Sequence, residues 1–280
     1  MTFKLKKQEL ALLLAVLFLV AVASFAPALA QPLHPHVYAD ARGWGFVPCA
    51  GDVLSNLPFA VWGAAGLGLL AMGARGRGAD HADTDAAQTG LAALFFAGLL
   101  ATAFASAFYH WQPDDNGLVV DRLGMTVAFA GLIGLAAAGR VSARAGVMLG
   151  LAVVAFGLVS IALWRATGNL LPWVVLQLGG VVLVLTMAWL RPLPGALAVR
   201  WAAVILIYAL AKLFEVADAA VYAATSEFVS GHSLKHLVAS FAAWPVLAGL
   251  VSHRKSRGEL ADVRRIGGSN GRSHCNKPAA

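Results

Sequence analysis

Charge is what this sequence has least of. Only 12% of its 280 residues are Asp, Glu, Lys or Arg and 59% are hydrophobic, whereas a typical soluble domain carries about 25% charged residues. With a mean hydropathy of +0.73, the chain is excluded from the soluble class and reads as an integral membrane protein. Cysteine is nearly absent. Cys49 and Cys275 are the only two, and the topology derived below separates them across the bilayer, which excludes a disulfide framework. The sequence also lacks an internal repeat and any stretch that reads as a soluble domain. The net charge of +7 does not imply a nucleic-acid partner. Its excess cations sit in short loops and near the C-terminus, where they read as orientation signals and contacts with anionic membrane lipids.

What the chain does have is apolar segments of bilayer-spanning length, which needs about 20 residues. They fall at 10–30, 52–73, 88–110, 121–139, 145–164, 170–190, 200–222 and 232–252. The first has the three parts of a secretory signal peptide: "KLKK", then "LALLLAVLFLVAVASF", then "ALA" before Gln31. It reads equally as an uncleaved anchor helix, and both readings stay open. The expected organisation is therefore a signal peptide or extra helix over 1–30, a seven-helix transmembrane domain over 31–252, and a basic tail over 253–280 that reads as disordered. The fold class is all-α, a polytopic seven-helix bundle. Nothing in the chain specifies an oligomeric state.

Lys and Arg in the loops set the orientation. Lys4, Lys6 and Lys7 precede the first span. Alternate loops then hold Arg75 and Arg77, Arg140 and Arg144, Arg191 and Arg200, and finally Arg254, Lys255 and Arg257. The opposite loops are poor in cations, with Arg42, Arg165 and the acids Asp114 and Asp115. This alternation predicts a cytoplasmic C-terminus.

The stretch "SGHSLKHLVASFAAW" opens the last span with His232 and His236. Residues four apart share a helix face about 6 Å apart along the axis, a spacing that suits a metal as well as a polar membrane interface. The orientation brings further polar residues to the same depth. His110 closes the second span of the seven, Ser106 lies one turn deeper on its face, and Asp121 opens the third span from the same side. Ionisable groups inside a membrane are costly unless paired or functional, and three imidazoles plus a water form the open site of catalytic zinc. A second cluster, Lys212, Glu215 and Asp218, sits on the sixth span. Lys212 and Glu215 can pair across one turn, which reads as an internal lock, a proton path or support for the metal.

The order "Ser-x-x-x-His", an Asp eleven residues later and a late "His-x-x-x-His" resembles the alkaline ceramidase family. That family lies within a group of seven-span membrane hydrolases that includes adiponectin-receptor-like proteins. "VYADARGWGFVPCAGDVLSNLPF" also looks like the entry to the first core helix of bacterial members, and the resemblance spans Pro35 to Ser252. It implies zinc on His110, His232 and His236, with Asp121 and Ser106 beside the activated water. It also implies an acidic calcium site near the first core helix. Here that region offers Asp40 and Asp52, with Cys49 and Ala50 where acids are expected, which argues against calcium. The resulting expectation is a zinc-dependent hydrolase of a ceramide-like lipid amide in a bacterial inner membrane, with its site towards the periplasm. Zinc would activate a water, Asp121 would act as general base and then acid, and Ser106 would donate to the oxyanion. A zinc-containing receptor or sensor would use the same ligands, and a proton-coupled transporter would need a polar stripe continuing inward.

Overall fold

The computed structural model describes residues 5–31, 36–74 and 83–255. Lys4, Arg75, Arg77, Arg257 and Cys275, and the tail expected to be disordered from 256 on, lie outside the described residues. With no water in the hydrocarbon layer, backbone groups must bond within the chain, and for runs this apolar the answer is helix. Ten helices are present among the described residues: α1 Lys7–Phe25, α2 Ala50–Leu54, α3 Leu57–Ala74, α4 Asp83–Trp111, α5 Asp115–Arg140, α6 Ala143–Thr167, α7 Leu171–Ala188, α8 Trp201–Val216, α9 Asp218–Ala224 and α10 Gly231–Ser240. After a turn at Phe241–Ala242 the last helix resumes and runs to Lys255.

Seven helical segments are long and apolar enough to cross a membrane, and α1 is one of them. The protein is an integral membrane helical bundle. Its outer face fits that setting: Leu14, Leu17 and Phe18 on α1, Phe104 and Phe108 on α4, and Leu206 and Leu213 on α8 are exposed, a surface that only lipid would cover favourably.

One expected span differs. The segment 200–222 is not a single helix but α8 and α9, broken at Ala217, whose φ of −93° and ψ of 19° leave the helical region. The break turns Asp218 towards the start of α10, where it is used as described below. A second difference concerns α5. The Asp114 side chain caps it by accepting from Gly117 N at 2.6 Å, so the helix starts earlier than its apolar run. Asp121 therefore lies in its second turn rather than at its opening. Polar first turns outside the hydrocarbon core carry no hydropathy signal.

Helices α4 and α5 share the most extensive contact in the bundle, and glycine makes it possible. A Cβ at Gly98 would lie 2.3 Å from Ala128 N, and one at Gly131 would lie 2.2 Å from Phe95 N. The two backbones touch, as small residues allow in membrane bundles. This matters for the site, because His110 lies in the last turn of α4 and Asp121 in the second turn of α5. At the opposite end of the bundle, buried Glu9 on α1 accepts from the Ser142 hydroxyl at 2.7 Å and pairs with Arg144 at 3.0 Å.

Candidate metal centre

His110 sits in the last turn of α4, and α10 presents His232 and His236 on successive turns. Ser230 begins α10 as its N-cap, accepting from Ser233 N at 3.0 Å. At Gly231 a Cβ would meet Phe214 O at 2.4 Å, so α10 starts in close contact with the end of α8. The result is a buried trio of imidazoles with ring centroids 4.8 to 5.0 Å apart. One nitrogen from each lies within 4.8 Å of the others, and this is the one such group of three or more metal-ligating residues among the described residues.

The donor set fits zinc. His232 Nε2 and His110 Nε2 are 3.2 Å apart, and two imidazole nitrogens on a tetrahedral zinc would be separated by about 3.3 Å, given Zn–N bonds of about 2.0–2.1 Å. The ring of His236 is held from behind. Ser55 Oγ donates to Asp52 O at 3.0 Å and lies 2.9 Å from His236 Nδ1, so its remaining lone pair accepts Nδ1–H. That arrangement leaves Nε2 free of a proton and ready to ligate. Asp52 is wholly buried, and its Oδ1 accepts from Ser233 Oγ at 2.7 Å. This ties α2 to the first turn of α10.

Tyr38 covers the open side of the trio, with its ring 4.2 Å from that of His232 and 4.8 Å from that of His110. Burial pushes its phenol well above the ordinary value, so it acts as a donor. It gives its proton to Tyr109 Oη at 2.7 Å. Tyr109 Oη in turn lies 2.9 Å from His36 Nδ1, and His36 Nε2 lies 3.1 Å from Asp115. One set of protons satisfies the whole chain, with each group donating to the next and His36 giving Nε2–H to Asp115.

Ser106 and Asp121 come together, and Asp121 lines the same cavity as His110 and His232. The Ser106 hydroxyl bonds the Asp121 carboxylate, and Asp121 Oδ1 is buried with no partner among the described residues. A cavity of about 590 Å³ opens here, lined by His110, Asp121, Arg122, His232, Lys235 and Glu215 among others.

The second polar cluster joins this site. Lys212 pairs with Glu215 as the spacing predicts, but Glu215 also meets Lys235 Nζ at 3.3 Å. Lys235 Nζ lies 2.9 Å from His232 Nε2. A metal on that nitrogen would exclude this contact, and the flexible lysine stem would let the ammonium withdraw to Glu215. Asp218 takes no part in the ion pair. Its two oxygens accept from His232 N at 2.8 Å and Ala39 N at 2.9 Å.

Of the two acids considered for calcium, Asp40 is engaged by Arg42 through two 2.8 Å bonds, and this hydrogen bonding holds its carboxyl below the usual carboxylate range. Asp52 serves the two serines of α10 instead.

Sequence reasoning missed Lys235, although it stands inside the histidine motif at i+3 from His232, on the same face. Ser55 and Tyr38 carried no signal at all. Their roles come from contacts across 181 residues in one case and from a loop folded over the site in the other. No family model, no curated protein and no solved structure matches the chain.

Proposed function

We propose that the protein is a zinc-dependent hydrolase embedded in the membrane that cleaves the amide bond of a ceramide-like lipid. The observation that carries this reading is the buried trio of His110, His232 and His236, of which His110 and His232 line a cavity together with Asp121. Zinc held by the three imidazoles would supply an activated water and polarise the scissile carbonyl. Asp121 Oδ1, which has no partner among the described residues, would hold the proton released by that water and return it to the leaving nitrogen. The Ser106 hydroxyl orients the carboxylate and can turn to donate to the developing oxyanion. Tyr38 limits bulk water at the imidazoles.

A deeper apolar cavity supports a lipid substrate. A second cavity of about 130 Å³ is lined almost wholly by apolar side chains, including Phe95, Leu99, Phe129 and Leu176, and shares Met125 and Gln177 with the site cavity. That supports an acyl chain leaving the polar site into the bundle, and it supplies no polar stripe for a transporter. The alternating loop charges support an extracytoplasmic site and a cytoplasmic C-terminus, and the resemblance to bacterial members suggests a bacterial inner membrane.

The test is zinc content alongside hydrolysis of lipid amides by purified protein. Replacing His110, His232 or His236 with Ala should remove zinc and activity together. Asp121→Asn should keep zinc and lose about 10²–10⁴ in rate, and Ser106→Ala should lose less. Full zinc in all three histidine variants would refute the centre. Zinc binding without hydrolysis of any lipid amide would favour a receptor or sensor.

A further inference from the structure

One cation in the site cavity has no role in the chemistry above. Arg122 is buried, only 6% exposed, and follows Asp121 on α5. Neighbouring residues point to different faces of a helix, so the two do not pair. The guanidinium carbon sits 4.1 Å from the centroid of Trp164 and 5.3 Å from that of Trp173. Both rings lie within cation–π range of the guanidinium. Its NH1 is buried without a hydrogen-bond partner among the described residues.

The other charges of the cavity are spoken for. Lys212 and Lys235 share Glu215, Asp218 is held by two backbone N–H groups, and Asp121 by Ser106. Asp115, which Arg122 feels at longer range, is taken by His36. No salt bridge to Arg122 is found among the described residues. Asp121 is the acid that acts most strongly on Arg122, yet it leaves NH1 without a hydrogen bond; a buried donor left unpaired is costly, and the guanidinium fork matches an oxyanion.

We propose that Arg122 binds an oxyanionic group, carboxylate or phosphate, on the head group of the lipid amide. This deepens the hydrolase reading and rests on it for the word substrate; the anion site itself does not. A neutral hydroxyl could accept from NH1 but would bring no charge to meet the guanidinium. An anionic one completes the cavity, with the acyl chain directed past Met125.

The experiment has a binding arm and a turnover arm, on full-length protein in a neutral maltoside detergent. In the first, dodecyl phosphate and dodecanoate, neither an amide, are titrated by calorimetry into the parent, Arg122→Gln and Arg122→Lys, with zinc content and thermal unfolding recorded for each. The expected result is at least about tenfold weaker phosphate binding for Arg122→Gln, the size of one lost charged hydrogen bond. Arg122→Lys should recover part of it, and zinc should be unchanged throughout. In the second, N-lauroylglycine and N-lauroylethanolamine are compared as substrates. The parent should favour the anionic one through KM, and Arg122→Gln should abolish the preference.

If the parent hydrolyses neither amide but Arg122 still governs phosphate binding, the anion site stands and the hydrolase reading falls. If the parent cleaves both amides alike, the head-group assignment is overturned, whether or not Arg122→Gln folds. Tighter binding of dodecanoate without a substrate preference would assign Arg122 to the product carboxylate instead, which also overturns it. Equal phosphate binding by parent and Arg122→Gln would reduce Arg122 to a packing role against the two tryptophans.

Discussion

Ser55→Ala is a small change with a calculable effect on the metal. The hydroxyl is buried, touches no substrate-facing surface of the trio, and contributes two bonds: one to Asp52 O at 3.0 Å and one to His236 Nδ1 at 2.9 Å. Removing it leaves the His236 imidazole in place but with one acceptor fewer to favour the tautomer that exposes Nε2. Loss of such an outer partner typically costs about 10–100-fold in metal affinity. The Asp52 carbonyl still bonds the same imidazole, so the loss should fall at the lower end, about tenfold or about 1.4 kcal/mol. The assay is competition for zinc between the purified protein and a chelator of known affinity, with His236→Ala as the upper limit and thermal unfolding as a check on the fold. An affinity within twofold of the parent would refute the argument that Ser55 sets the tautomer. If His236→Ala also matched the parent, the centre itself would be wrong.

Glu215→Gln should lower both stability and zinc affinity, because Lys235 would lose its alternative partner and stay at His232 Nε2; Lys235→Met in the same background should restore the zinc affinity. An unchanged zinc affinity in Glu215→Gln would separate this cluster from the site. Gly131→Ala should destabilise by about 1–3 kcal/mol, since its Cβ would strike the Phe95 backbone, whereas Gly68→Ala, with nothing within 4 Å, should be neutral; equal melting temperatures would refute the close α4–α5 contact. Reporter fusions should place the loop around Asp114–Asn116 outside and a fusion after Ser252 inside, and the reverse pattern would overturn the orientation inferred from loop charge.

Much of this molecule was legible in one dimension because a bilayer imposes one-dimensional rules. Apolar length alone located eight candidate spans, of which all but the broken 200–222 segment correspond to helices long and apolar enough to cross a membrane, and helical periodicity alone put His232 and His236 on one face. The polar residues His110, Ser106 and Asp121 were conspicuous because an apolar segment has few reasons to hold them. Where the reading slipped, the cause was also local. Helix α5 extends into a polar turn that hydropathy cannot see, and the break at Ala217 has no proline or glycine to announce it.

What the sequence by itself determined was the membrane-spanning bundle and the short list of residues able to hold a metal. Hydropathy and helical spacing act over tens of residues and need no partner. The tertiary structure alone decided how those residues combine. It brought nitrogens from α4 and α10 within 4.8 Å, set Ser55 behind His236, led the Lys212–Glu215 pair through Lys235 to His232, and left Arg122 NH1 without a hydrogen-bond partner among the described residues. Each of these is a contact between residues far apart in the chain. Such contacts arise from helices packing at backbone distance through glycines such as Gly98, Gly131 and Gly231, a geometry that no periodicity encodes.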